Sequence, residues 1–170
     1  MKKEQKIVAV GAASGITVML AALIALSMWM PGVPIEGDAG ERIGYAARWN
    51  ALAAAPLFLS LVAVGNARFK SDAIDPTAGK ESLAMIITGR VVDNTVQQYA
   101  LLVAATFAVA AAARGHGLAV VAAAAVIFVF MRFAFWIGYR MDPLYRAFGM
   151  AGTSYLNLAL FCYATWLAWG

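Results

Sequence analysis

The chain has 170 residues, of which 63% are hydrophobic and 13% are charged, and its formal net charge is +4. The charged residues lie between five long uncharged segments and not within them, which is typical of a polytopic membrane protein. The positive charge does not indicate nucleic acid binding, because the basic residues cluster where one membrane face is expected. The single cysteine, Cys162, excludes an intramolecular disulfide and a cysteine metal cluster.

The five uncharged segments are about as long as the roughly 20 residues that cross a bilayer core. They cover residues 7–30, 49–67, 94–113, 115–131 and 147–170. With their flanking residues they predict membrane-spanning helices at about 7–30, 44–67, 83–113, 117–140 and 146–169, all in one membrane domain. The first segment follows three lysines, as in a signal peptide, but it exceeds the roughly 7–15 apolar residues of such a leader. The expected fold class is therefore an all-α integral membrane protein.

The distribution of basic residues predicts the orientation of these helices. Three groups of cations lie on one side: Lys2, Lys3 and Lys6 before the first helix, Arg68, Lys70 and Lys80 after the second, and Arg140 and Arg146 after the fourth. Because cytoplasmic loops are enriched in lysine and arginine, we expect a cytoplasmic N-terminus and a C-terminus on the opposite side.

Two short motifs predict how the helices are joined. Gly115-His116-Gly117 is a tight link, which makes the third and fourth helices antiparallel neighbours and leaves His116 exposed at the turn. Asp142 followed by Pro143 predicts an N-cap and a first helical residue for the last helix.

A polar segment opens the third predicted helix. Arg90, Asn94 and Gln97 are spaced i, i+4 and i+7, so they are expected on one face, and Arg132 and Tyr139 share a face of the fourth helix. Counted from the link between these helices, Gln97 and Arg132 lie about 24 and 22 Å away. Arg90 and Tyr139 both lie at roughly 33 to 35 Å. We therefore expect one polar layer that opens toward the cytoplasm.

This polar layer has two interpretations. In the first, Asp93 neutralises Arg90 or Arg132 within a structural network. In the second, the layer binds an anionic ligand, because arginine binds carboxylate or phosphate in a bidentate manner. The inner side carries five arginines against four aspartates: Arg68, Arg90, Arg132, Arg140 and Arg146 against Asp72, Asp75, Asp93 and Asp142. This excess of positive charge favours a ligand site. Arg132 is the deepest of these cations, and we include it among the ligand-binding residues because of its charge.

Three motifs occur in order along the second half of the chain. They are Arg90-x-x-x-Asn94-Thr-x-Gln97-Gln98, Arg132-Phe-Ala-Phe-Trp-Ile-Gly-Tyr139 and Pro143-Leu-Tyr-Arg146-Ala-Phe-Gly149. Together they resemble bacterial members of the MAPEG family, the membrane-associated proteins of eicosanoid and glutathione metabolism, over about residues 45–170. The resemblance implies a four-helix bundle of predicted helices 2 to 5, an additional N-terminal helix, assembly as a homotrimer, and location in a bacterial inner membrane.

The same resemblance implies a function. Glutathione would be a co-substrate bound between subunits near the cytoplasmic face, by residues that correspond here to Arg68, Arg90, Asn94, Gln97 and Tyr139. Arg146 resembles the arginine that stabilises the glutathione thiolate, and a nearby cation lowers a thiol pKa from its ordinary value of roughly 8.5. Hydrophobic small molecules would reach this thiolate from the membrane lipids, in a glutathione transferase or peroxidase reaction.

Two further interpretations stay open. Gln97 stands where glutathione-using members commonly carry glutamate, and an amide offers no charge to the ammonium group of the ligand, although Asp93 lies one turn earlier. The alternative function is a non-catalytic lipid-binding or scaffold protein, like the lipoxygenase-activating protein of that family. Separately, the GxxxG motif of Gly11 and Gly15 predicts close helix packing. In a third interpretation, these glycines pack the first helix against another membrane protein.

Overall fold

The computed structural model describes residues 2–32 and 37–170, and within these residues every regular element is helical. The α-helices are α1 (Lys3–Trp29), α2 (Ala39–Ala53), α3 (Ala55–Phe69), α4 (Leu83–Ala112), α5 (Ala119–Met141) and α6 (Ala147–Trp169). Short 3-10 turns occur at Asp72–Ile74 and Gly115–Leu118. The predicted all-α class is confirmed for this part of the chain.

Four helical segments are long and apolar enough to cross a membrane, as expected of a membrane protein. They are Lys3–Trp29, Ala39–Phe69, Leu83–Ala112 and Gly115–Met141. The fifth predicted span forms α6, which has 23 residues and no charged side chain. Its polar side chains include Thr153, Ser154 and Asn157.

The second predicted span forms two helices, α2 and α3, which meet at Ala54. Pro56 lies in the first turn of α3. A proline has no N–H to donate, and its ring clashes with the carbonyl four residues earlier in a continuous helix, so the helix is interrupted here. The helical segment also begins earlier than the predicted residue 44. Asp38 accepts a hydrogen bond from the Glu41 N–H at 2.8 Å, and the Glu41 carboxylate accepts one from the Asp38 N–H at 3.2 Å. This capping box fixes the start of α2.

The turn between α5 and α6 differs from the prediction. Asp142 does not cap the last helix, because its carboxylate accepts a hydrogen bond from the Leu144 N–H at 2.7 Å and so stabilises a local turn. The last helix begins later, with Arg146 at its N-cap position. A Cβ atom on Gly138 would lie 2.8 Å from the carbonyl oxygen of Tyr145, so glycine is needed where this turn folds back onto α5.

Helix α4 lies at the centre of the bundle. It packs against α2, α3, α5 and α6, while α1 lies on the other side, against α5 and α6. Arg132 bonds to Thr95 far from the turn, and Ala113 and Leu118 share an apolar cluster beside it, which confirms that α4 and α5 are antiparallel neighbours. Leu102 of α4, Phe128 and Met131 of α5 and Leu156 of α6 are fully buried in the main apolar core.

The glycines of α1 allow that helix to approach α6 closely. A Cβ atom on Gly15 would overlap the carbonyl group of Phe148, and one on Gly11 would lie 3.3 Å from the Ala147 Cβ. The GxxxG motif therefore packs helices within the chain, as predicted. Both glycines face α6, so the contact that they form here lies within the chain.

Replacing Gly15 by alanine should destabilise the protein by about 1–3 kcal/mol, since the new methyl group collides with rigid backbone at Phe148. Gly44→Ala is the matched control. No atom of the described residues lies within 4 Å of a Cβ atom at Gly44, so that variant should be as stable as the original or up to about 1 kcal/mol more stable. Reversible unfolding in mixed micelles measures both, and equal stability of the two variants would refute the close contact.

Candidate functional site

Arg132 of α5 is the largest of the fully buried side chains, with an exposed fraction of 1%. Its Nε and Nη2 donate to Thr95 Oγ1 at 3.2 and 3.0 Å, and Nη2 also donates to Asn94 Oδ1 at 2.9 Å. The guanidinium carbon lies 4.1 Å from the centre of the Phe135 ring. Nη1 is buried and has no hydrogen-bond partner in the part of the chain that the structure describes. The charge is therefore solvated by a hydroxyl, an amide and an aromatic face, with the two N–H groups of Nη1 left over.

Asp93 does not neutralise this layer. Across residues 2–32 and 37–170 one ion pair forms, between Arg68 and Glu81 at 2.5 Å. Asp93 is exposed and pairs with neither Arg90 nor Arg132. The interpretation of the layer as a network neutralised by Asp93 is therefore wrong, and Arg132 lies in a predicted membrane span without a carboxylate partner.

The loop between α3 and α4 shows what another aspartate does instead. The Thr77 hydroxyl donates to Asp75 at 2.7 Å and the Thr77 N–H does so at 2.8 Å. These two hydrogen bonds hold the pKa of the Asp75 carboxyl below its ordinary value. The carboxylate therefore stays ionised and stabilises its own loop.

A cavity of about 250 Å³ opens beside Arg132, between α4, α5 and the start of α6. Its lining residues are Arg90, Asn94, Phe135, Tyr139, Arg146 and Met150. We call it the cationic cavity. The Arg146 guanidinium lies 4.8 Å from the centre of the Tyr139 ring, which holds that cation over an aromatic face. Asn94 both lines the cavity and accepts from Arg132, so the buried cation is one hydrogen bond away from it. Such a set of donors suits an anion.

The structure brings most of the candidate site residues together. Arg90, Asn94, Tyr139 and Arg146 line the cationic cavity, and Arg132 is joined to it through Asn94. Gln97 is exposed and does not line the cavity. Arg68 is paired with Glu81 and does not line it either.

The neighbour of Gln97 takes the buried position. Gln98 donates to Ser154 Oγ at 3.2 Å and accepts from Asn157 at 2.9 Å through its side chain and at 3.0 Å through its carbonyl. The buried stripe of α4 passes through Val91, Thr95 and Gln98, and these spacings of four and three residues follow the helical period. The helical spacing was therefore visible in the sequence. The prediction placed Gln97 on the functional face, whereas the buried amide belongs to Gln98, one residue further along.

Arg42 is a second buried arginine, which the sequence pattern did not single out. It is 7% exposed and donates to the carbonyl oxygens of Gly37 at 2.9 Å, Ala110 at 3.1 Å and Ala111 at 3.4 Å. The carbonyl groups in the last turn of α4 have no partner within the helix, so Arg42 caps this end. Its role is structural and lies far from the cationic cavity.

The fold and the cavity define a class: an all-helical protein with four segments suited to crossing a membrane and a cationic cavity toward one end of the bundle. Comparison with known protein families, with curated proteins and with solved structures finds no match for this chain.

The two buried arginines should respond differently to removal of their charge. Arg132→Met should leave the free energy of unfolding unchanged or raise it by about 1 kcal/mol, because an uncompensated cation leaves the apolar interior. Thr95 keeps its hydrogen bond to the Val91 carbonyl at 2.6 Å in that variant. Arg42→Met should lower stability by about 1–3 kcal/mol, because carbonyl groups of α4 lose their donors.

Unfolding in mixed micelles compares the two variants directly. An equal loss of stability in both would mean that Arg132 has the same structural role as Arg42.

Proposed function

We propose that the protein is an integral membrane enzyme that binds glutathione in the cationic cavity and presents its thiolate to lipophilic substrates. One observation carries the proposal: Arg90 and Arg146 line a cavity without a carboxylate among the described residues, next to the unpaired cation of Arg132. An anionic ligand would compensate these charges. The resemblance of the three motifs to those of the MAPEG family implies that this ligand is glutathione.

The size of the cavity supports assembly as a homotrimer. Its volume of about 250 Å³ lies below the roughly 300–1,000 Å³ of ordinary ligand pockets, so the full tripeptide needs a further wall. A neighbouring subunit would supply that wall. Gln97 and Arg68, which lie outside the cavity of their own chain, would reach the ligand only across such an interface. With a cytoplasmic N-terminus, the cavity would open toward the cytoplasm.

Arg146 would act on the sulfur atom of the ligand. Its positive charge, held over the Tyr139 ring, would stabilise the thiolate. A larger fraction of the bound thiol would then be present as the nucleophilic thiolate at neutral pH. In the transferase reaction the sulfur forms a bond to an electrophilic carbon while the leaving group departs with its electron pair. In the peroxidase reaction two glutathione thiols become a disulfide as a lipid hydroperoxide becomes an alcohol and water. Phe135 and Met150 provide an apolar wall for these substrates.

Arg90→Ala should weaken glutathione binding at least tenfold, because a hydrogen bond to a charged group contributes about 1.5–3 kcal/mol. Isothermal titration calorimetry of the purified protein in detergent measures the affinity. Arg114→Ala is the matched control, since Arg114 is exposed at the opposite end of α4 and should leave binding unchanged. Equal affinity of the Arg90 and Arg114 variants for glutathione would contradict binding of glutathione in the cationic cavity.

Arg146→Ala should lower turnover at neutral pH about 10- to 100-fold and move the pH–rate profile toward higher pH. The sign follows from the loss of a cation, which raises the pKa of the bound thiol and leaves less thiolate at pH 7. Arg146→Lys should restore part of the rate, since it keeps the charge. Turnover with 1-chloro-2,4-dinitrobenzene measures both effects. An unchanged profile in Arg146→Ala would exclude thiolate stabilisation by this residue.

A second candidate function is non-catalytic lipid binding. It is favoured by the absence, among the described residues that line the cavity, of any carboxylate for an ammonium group. A fatty acid has no ammonium group, so its carboxylate would pair with Arg90 and Arg146 while its chain lies along Phe135 and Met150. Saturable binding of oleate without binding of millimolar glutathione, in the same calorimetric experiment, would select this function.

A further inference from the structure

A second cavity, of about 390 Å³, lies at the other end of the bundle, between α1, the turn before α5, and α6. Its walls are mainly apolar and include Leu23, Val120 and Leu160. Along α4, about 33 Å separates Arg90 from the end of the helix nearest this second cavity. The two cavities are therefore distinct, and a ligand in the second would bind independently of glutathione in the first. We call this second space the outer cavity.

Ser27 lines the outer cavity and carries an unpaired hydroxyl group. Its Oγ is buried and has no hydrogen-bond partner among the described residues. The other hydroxyl side chains of α1 behave differently: Ser14 donates to the Gly11 carbonyl and Thr17 to the Ala13 carbonyl, each at 3.0 Å. A buried hydroxyl without a partner is costly in apolar surroundings. Rotation about the Cα–Cβ bond of Ser27 would bring this hydroxyl group to a molecule inside the cavity, where it could donate a hydrogen bond.

Two further polar groups line the outer cavity beside the turn that precedes α5. His116 is exposed there, and the Tyr163 hydroxyl lies 3.1 Å from the position of a Cβ atom on Gly117. A Cβ atom on Gly32 would lie 2.9 Å from the His116 Cα, so the chain after α1 packs tightly on this turn. The Tyr45 hydroxyl also donates to the Pro31 carbonyl. These contacts fix the polar end of the cavity.

We propose that the outer cavity binds a neutral lipophile whose head group carries a carbonyl, such as a quinone with an alkyl tail. No arginine, lysine or carboxylate lines the cavity in the part of the chain that the structure describes, so a charged head group would be uncompensated. Ser27 and Tyr163 can donate hydrogen bonds, and the imidazole of His116 can donate one as well, which suits an acceptor. The volume falls in the ordinary range of ligand pockets, and the apolar walls suit the tail.

The test uses two probes with the same tail: a benzoquinone carrying a decyl chain, and decylbenzene, which has no carbonyl. Binding to the full chain in detergent is measured by equilibrium dialysis. We expect one saturable quinone site per chain, at least tenfold tighter than decylbenzene. Ser27→Ala should weaken quinone binding about five- to tenfold and leave decylbenzene unaffected. Ser14→Ala is the matched control on α1, and it should leave both affinities unchanged.

A variant that fills the cavity separates a local effect from general damage. Ala159 lines the outer cavity on α6, so Ala159→Phe should abolish saturable binding of both probes while the protein elutes as before in size-exclusion chromatography. Equal affinity for the two probes would reduce the site to a hydrocarbon pocket and overturn the proposal. Full quinone binding by Ser27→Ala or Ala159→Phe would also overturn it, because the probe would then bind elsewhere.

Discussion

The structure depends on one constraint, which is that a bilayer core offers no hydrogen-bond partners to polar side chains. Helix α4 carries such side chains toward three of its neighbours and pairs them within the chain. Thr106 bonds to Asn50 of α2 at 2.9 Å, and Gln98 accepts from Asn157 of α6 at 2.9 Å. Thr95 accepts from Arg132 of α5 at 3.0 Å. Because each polar contact reaches a different helix, they specify which faces meet in a bundle whose apolar surfaces are alike.

Arg132 is only partly paired within the chain. Its guanidinium group is buried with one nitrogen unpaired, next to a cavity that contains two more arginines. A structural role would be served better by an apolar side chain of the same size, since a buried cation without a carboxylate is costly. The proposed anion site would account for this cost, because a bound ligand would supply the missing charge. At the opposite end of the bundle, the hydroxyl group of Ser27 is also buried without a partner among the described residues. By the same argument it favours a ligand there, in this case a neutral one.

Much of this architecture could be predicted from the sequence. The uncharged segments located the helices, and the spacing of Arg90 and Asn94 on one helix face matches the cavity that both residues line. The kink at Pro56 was missed because the surrounding hydropathy is continuous across it. Gln97 and Gln98 could not be told apart, since adjacent amides differ by only about 100° around a helix and the buried face depends on the neighbouring helices. Ser27 has no sequence signal, because its missing partner is a property of the packed structure.

A structure of the protein in a lipid nanodisc, determined by cryo-electron microscopy with glutathione added, tests most directly whether an anion compensates Arg132. We expect density for an anionic ligand between Arg90 and Arg146, with a carboxylate near the buried donor of Arg132. An empty cationic cavity, with a carboxylate or carbonyl of a neighbouring subunit bonded to Arg132, would contradict the ligand site, because the charge would then be compensated by assembly alone.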